Sequence, residues 1–272
     1  MNHPADPHMA RDRFFDALWR AYTAVTPQAL QIHALFGALG EQVINDHVAF
    51  RTFDRCAYNL ESFVEVLGEL GYTPYERYHF PEKRLDALAL KTSDPHAPKI
   101  FVSELRRADL SAASREIVDR LVDESPNEPL TLPQLFGVRP WPLISYAEYE
   151  RLATESEYAA WLSLMGLTAN HFTVSVNHLS SFVTLEEVNR LLLDEGYQLN
   201  AVGGLIKGSP EVYLEQSSTL ADRAPFTFAC GAKAELPTCF YEFAMRYPVA
   251  SGELFQGFVT QNAQKIFDST HR

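Results

Sequence analysis

Two stretches of this chain repeat one another, and that repetition restricts the fold more than any other feature. Asn45-Asp46-His47-Val48-Ala49-Phe50-Arg51-Thr52-Phe53 is echoed by Asn170-His171-Phe172-Thr173-Val174-Ser175-Val176-Asn177, with His171 following His47 by 124 residues. Each stretch precedes a helix-like segment, Leu60 to Tyr72 and Leu185 to Tyr197, and these two align at an offset of 125 with Leu, Glu, Leu, Gly and Tyr matching. A near-constant offset across strand and helix reads as an internal duplication of a β-strand, helix, strands module.

Side chains alternate along a strand. Val48, Phe50 and Thr52 therefore share one face, while His47, Ala49, Arg51 and Phe53 share the other. In the echo, Phe172, Val174 and Val176 are the apolar face and His171, Thr173, Ser175 and Asn177 the polar one. At roughly 3.3 Å per residue, the His47 and Arg51 Cα atoms lie about 13 Å apart, a span that suits a small elongated molecule held at both ends. Taken alone, the first stretch reads as an edge strand with its polar face in water. Two histidines at equivalent positions of two repeats are different: a pseudo-twofold axis makes them converge, and a converging pair is a candidate metal site.

The 272 residues, 46% of them hydrophobic, are ample for a sizeable core. A net charge of −12 argues against a nucleic-acid partner, which needs clustered Lys and Arg. No apolar run approaches the ~20 residues of a membrane span, and the charged start (Asp6, Arg11, Asp12, Arg13) does not resemble a signal peptide. Cys56, Cys230 and Cys239 are odd in number and lack ligand spacing, so they read as reduced thiols in a cytoplasmic protein.

Residues 1–272 are expected to form a single catalytic domain. Residues 10–40 read as two helices, the second capped by Thr26 with Pro27 in its first turn, lying over the first repeat. The first βαβββ repeat spans 41–106 and the second 167–250. Between them, 107–166 is a helical, Pro-rich insertion serving as linker and lid, whose last helix opens with a capping box at Ser145 and runs towards Leu164. In the second repeat, Gly203, Gly204 and Gly208 punctuate a hairpin, Pro210 to Ser217 and Ala224 to Gly231 read as strands, and Phe240 to Tyr247 closes the module.

Two imidazoles and one carboxylate at the mouth of a curved sheet form a facial triad that leaves positions on a metal open, which suits Fe(II); zinc or manganese fit the same donors. The carboxylate candidates are Glu104, Glu215 and Glu242. Glu104 and Glu215 each sit on a strand after the helix of their repeat, whereas Glu242 has the most apolar neighbours, where a carboxylate without a partner is costliest. Gln216 and Ser217 are candidate donors beside substrate or ligands, and His79 is a candidate pocket residue. His3, His8, His33, His96, His178 and His271 have no partners at ligand spacing.

The runs Asp46 to Phe53, Tyr78-His79-Phe80-Pro81-Glu82-Lys83-Arg84-Leu85, Asn170 to Thr173 and Phe240-Tyr241-Glu242 with Arg246 resemble the 2-oxoadipate dioxygenase/decarboxylase family. That family belongs to the vicinal-oxygen-chelate superfamily of paired βαβββ modules, and the resemblance runs from about residue 10 to the end. It implies an α+β fold in which two pseudo-symmetric modules curve around a metal cavity. It further implies His47, His171 and Glu242 as iron ligands, with Glu215 behind them, and Arg51 as the substrate-carboxylate arginine. The implied reaction takes 2-oxoadipate and O2 to 2-hydroxyglutarate and CO2, within lysine breakdown. Two other readings share the architecture: a different metal-dependent enzyme (isomerase, hydrolase or ring-cleaving dioxygenase) and a metal-free binding protein.

Overall fold

The computed structural model describes residues 7–270, so His3 and His271 lie outside the described residues. Two helices come first, α1 (Pro7–Val25) and α2 (Pro27–Ala38). The first module follows as β1 (Asn45–Phe53), α3 (Leu60–Gly68), β2 (Thr73–Phe80), β3 (Leu85–Lys91) and β4 (Lys99–Leu105). Helices α4 (Ala112–Asp123), α5 (Tyr146–Glu155) and α6 (Glu157–Met165) lie in the connection. The second module comprises β5 (Ala169–Ser175), α7 (Leu185–Asp194), β6 (Lys207–Ser209), β7 (Leu214–Ser218), β8 (Arg223–Thr227), β9 (Lys233–Pro237) and β10 (Phe240–Arg246), and α8 (Thr260–Phe267) comes last.

The sheet order, β2-β3-β4-β1-β5-β10-β7-β6, reads the same from either end once β1 is matched with β5 and β4 with β10. Each module pairs its first and last strands in parallel, β1 with β4 and β5 with β10, and the modules join through antiparallel β1 and β5. β1 is thus central rather than an edge, and Asp46 to Phe53 are all buried. The equivalent helices start alike. The Asn59 side chain accepts from Ser62 N at α3, and Thr184 forms a capping box with Glu187 at α7.

Several local expectations change. Of the strand expected over Ala224 to Gly231, only the part within β8 forms, and it pairs with β9 in a separate two-stranded hairpin inserted before β10 rather than in the main sheet. Its alternating exposure fits this: only Ala224 and Phe226 are half-buried, while Arg223, Pro225 and Thr227 face outwards, so it lacks the second buried face of a strand inside the main sheet. Residues 210–212 form a 3-10 turn, and β7 starts only after Tyr213 in a left-handed conformation. Thr26 makes no capping bond, which leaves Pro27 to open α2. The helix starting at the Ser145 capping box ends at Glu155, because the Ser156 side chain accepts from Ala159 N and opens a new one.

The two N-terminal helices cover mainly the second module; α1 also reaches the first, where Phe15 packs on Tyr72 and Arg11 pairs with Asp94. α3 already covers the first, with Phe63 packed on Phe50, whereas β5 and β10 present Phe172, Tyr241 and Phe243. Trp19 and Tyr22 pack on Phe172, Trp19 also on Tyr241, and Phe36 on Phe243. Removing a buried ring of this kind costs about 3–5 kcal/mol. The apolar side of the sheet thus carries helices, and the side bearing His47, His171 and Glu242 is free to enclose a cavity. α8 packs against β6 and β7 at one end of the sheet and β2 at the other, bridging the gap between its two edges.

Gly166 fixes how α6 turns into β5. It has φ +69, and a Cβ there would meet Arg139 Cα at 2.6 Å and Val138 O at 2.7 Å. Gly166→Ala is therefore expected to lower stability by at least about 1–3 kcal/mol, read as a shifted urea midpoint. An unchanged midpoint would show that this turn relaxes freely.

Candidate active site

The seam between the modules builds the site. Across β1 and β5, Ala49 faces His171 and Thr173 faces His47, which puts His47 and Arg51 on either side of His171 on one face, each a diagonal neighbour of it. The pairing slips by one residue at two places, between Asn45 and His47 and between Ala49 and Phe50. The residues skipped are Asp46 and Asn170, each directly before a histidine. Such bulges re-aim side chains. Here the Asp46 carboxylate Oδ1 lies 2.8 Å from His47 Nδ1, and Asn170 Oδ1 lies 3.0 Å from His171 Nδ1.

With each Nδ1 held from behind, the Nε2 atoms face inwards. Glu242 on β10 meets both: Oε1 is 3.5 Å from His47 Nε2 and Oε2 is 3.2 Å from His171 Nε2. One donor atom from each of the three residues lies within 4.8 Å of the others, and all three side chains are buried. Gln216 Nε2 donates to Glu242 Oε1 at 2.7 Å, whereas Oε2 has no hydrogen-bond partner among the described residues. A carboxylate oxygen buried in that state is costly unless a cation or proton joins it. The donor set of two imidazoles and one carboxylate therefore fits a divalent metal.

Electrostatics agree with this reading. Burial lowers His47 despite its hydrogen bond to the Asp46 carboxylate, and burial with the neighbouring His47 and Arg51 lowers His171 well below the ordinary range, so both rings are neutral and offer Nε2 as a metal ligand. Burial pushes Glu242 up to about 8, opposed chiefly by the Gln216 hydrogen bond. Burial alone would raise Asp46, but Arg246 and His47 hold it well below the usual carboxylate range. Arg246 donates through Nε and Nη2 to Asp46 at 2.6 and 2.8 Å, and through Nη1 to the carbonyls of Phe255 and Gly257.

Arg51 is 2% exposed. Its guanidinium lies over the rings of Tyr158, at 5.0 Å, and Trp161, at 4.8 Å, both on α6. Both terminal nitrogens donate to Thr270 Oγ1 at 3.3 Å. A cleft of about 410 Å³ reaches Arg51 from the surface, between Glu82, Lys83 and Arg84 of the β2–β3 turn and Glu155 and Ser156 at the α5–α6 junction.

Other sequence candidates fall elsewhere. His79 is exposed on β2 and pairs with Asp86, pointing away from the cavity. Ser217 faces the helix side and donates to Asn189 of α7, because alternation puts it opposite Gln216. Gln216 does reach the cavity, but as the donor that orients Glu242. Glu104 accepts from Leu60 N on the helix side, and Glu215 accepts from Tyr247. They are not symmetry mates either, since β4 matches β10 and β7 matches β3. Asp46, Asn170, Tyr158, Trp161, Phe258 and Thr270 were not anticipated as site residues. The first two were legible, because they occupy equivalent places in the repeat.

Residues 15–266 match the family described as 2-oxoadipate dioxygenase/decarboxylase. The chain is 36% identical over 276 residues to the 2-oxoadipate dioxygenase/decarboxylase, chloroplastic/amyloplastic, of Oryza sativa subsp. japonica, covering 92% of this chain and 76% of the relative. Its structure matches that of the Oryza sativa hydroxyglutarate synthase in complex with 2-oxoadipate at TM-score 0.92 and 33% identity, covering 97% of this chain and 93% of that one. A Shewanella frigidimarina structure described as a hydrolase matches at TM-score 0.84 and 41% identity, covering 92% and 98%.

Two outcomes follow from the buried charges. Because Glu242 keeps its proton up to about pH 8 in the metal-free protein, divalent-metal binding at neutral pH should release about one proton, and fewer as pH rises past 8. Calorimetry in buffers of different ionisation enthalpy reads that number, and no release at neutral pH would refute a protonated Glu242. Arg246→Met strands the Asp46 carboxylate and should cost about 3–5 kcal/mol in urea unfolding, most of it recovered by adding Asp46→Asn. A single variant as stable as wild type would deny the pair its structural role.

Proposed function

The chain belongs to the 2-oxoadipate dioxygenase/decarboxylase family, and from that premise we propose that it converts 2-oxoadipate and O2 to 2-hydroxyglutarate and CO2, with Fe(II) held by His47, His171 and Glu242. The observation that carries the proposal is the triad's place on the same sheet face as Arg51, which a cleft reaches from the surface. The equation balances: the six-carbon oxo diacid loses its C1 carboxylate as CO2 with that group's own two oxygens, and both atoms of O2 enter 2-hydroxyglutarate, one in the carboxylate formed at the former keto carbon and one as the hydroxyl.

Fe(II) in this triad supplies chelation of a 2-oxo acid through its keto oxygen and C1 carboxylate, together with electrons for O2. The rest falls to the chain. Asp46 and Asn170 fix the two rings so that Nε2 faces the cavity, and Gln216 sets the Glu242 carboxylate. Arg51 receives the distal carboxylate of the substrate as a two-pronged donor, and Tyr158 and Trp161 keep the guanidinium plane oriented. In binding, that carboxylate takes a place now shared with the Thr270 hydroxyl. Phe258 packs on the His47 ring with Phe101 behind it, which shields that side of the triad from water. A role in lysine breakdown and a cytoplasmic or other reducing location complete the proposal, the latter resting on the three free thiols.

Oxygen uptake on adding 2-oxoadipate to anaerobically iron-loaded protein tests this directly, with 2-hydroxyglutarate and CO2 formed in equal amounts. Iron-loaded protein that takes up no oxygen would overturn it. Arg51→Lys should raise KM for 2-oxoadipate about ten- to a hundredfold, since a hydrogen bond to a charged group contributes about 1.5–3 kcal/mol, and Arg51→Ala should raise it further. Wild-type KM in both variants would remove Arg51 from substrate binding.

A further inference from the structure

The pseudo-twofold relation that pairs the histidines makes a demand the sequence does not meet. His47 pairs with Lys99 across β1 and β4, and His171 with Phe240 across β5 and β10, both in parallel register. Two residues on, Ala49 pairs with Phe101 and Thr173 with Glu242. Phe101 therefore occupies in the first module the place that Glu242 occupies in the second. A fully symmetric site would bind metal with two imidazoles and two carboxylates; this one has a phenyl ring in the fourth position.

The ring is held there. Phe101 is buried and packs against Phe258 with centroids 4.9 Å apart, and Tyr78 and Phe80 lie 5.6 and 6.4 Å away. Phe258 in turn stands edge-on to the His47 ring at 4.8 Å. None of these aromatic rings offers a metal a donor atom from its face. On the side of the site away from Glu242, Phe101 and Phe258 present rings in place of donor atoms.

We infer that Phe101 keeps open the coordination position that the duplicated architecture would otherwise fill, reserving it for an oxygen atom of the substrate or for O2. This rests on the metal reading of the triad. Three protein donors leave room for a chelating substrate and a second small ligand; a fourth carboxylate would compete for that room. Phe101 is thus a specificity-determining residue for the reaction. It acts by withholding a donor.

Co(II) serves as the probe, read by its visible absorption with and without 2-oxoadipate. Wild-type protein should bind Co(II) with a spectrum that changes on adding 2-oxoadipate. F101E should bind Co(II) at least about tenfold more tightly, with an altered spectrum to which 2-oxoadipate makes no further change. F101H tests the same point with a neutral donor should the buried carboxyl hinder folding, and F101L, which adds no donor atom, should leave Co(II) affinity as in wild type. If whichever donor variant folds binds Co(II) no more tightly than wild type, the inference is overturned. Wild-type protein that takes up no Co(II) would instead overturn the metal reading of the triad.

Discussion

The antiparallel pairing of β1 with β5 is the constraint from which the site follows. It joins the two modules, sets His47 and Arg51 on either side of His171, and carries one bulge in each strand. Each bulge sits at the residue before a histidine, so one distortion both turns the imidazole inwards and supplies the partner for its Nδ1. In a regular ladder Asp46 and Asn170 would point to the helix side, alternating with the histidines. The bulges break that alternation where the site needs it broken.

The second requirement is to stabilise charge where water is scarce. Asp46, Arg246, His47 and Glu242 are all buried. Pairing with two nitrogens of Arg246 offsets the desolvation of Asp46, and two backbone carbonyls take up another nitrogen of the same guanidinium. Among the described residues no Lys or Arg is bonded to Glu242; the Gln216 amide donates to it and the two neutral imidazoles stand beside it. That contrast separates a structural carboxylate from one kept ready for a metal. At Arg51 the cation is met by aromatic faces and a hydroxyl, partners that hold a guanidinium in place while leaving it attractive to an anion.

Much of this was legible in the sequence, for a physical reason. Strand alternation and the repeat offset both survive translation into three dimensions, so His47, Arg51, His171 and Glu242 were placed on the correct faces, and a curved sheet of two modules followed. Contacts between segments distant in sequence were not legible. Tyr158 and Trp161 come from the insertion, and Phe258 and Thr270 from the segment after the second module; no local pattern says that these reach the cavity. Ser217 and His79 misled because a polar residue beside a site strand reads the same whichever face it takes. That the covering helices lie mostly on the second module rather than the first was not legible, because apolar periodicity reveals that a helix has a buried face, not which surface it meets.

The asymmetry between the modules bears on how such a fold could arise from a single ancestral unit. The place of Arg51 in β1 is taken in β5 by Ser175, and the place of Glu242 in β10 is taken in β4 by Phe101. Two copies of the first half, docked through the same seam, would present twin guanidinium groups and no carboxylate ligand. Two copies of the second half would surround the cation with four donors and have nothing to anchor a diacid. Only the fused, diverged pair combines an unsaturated centre with a single anchor, which gives a bound substrate one direction in which to lie.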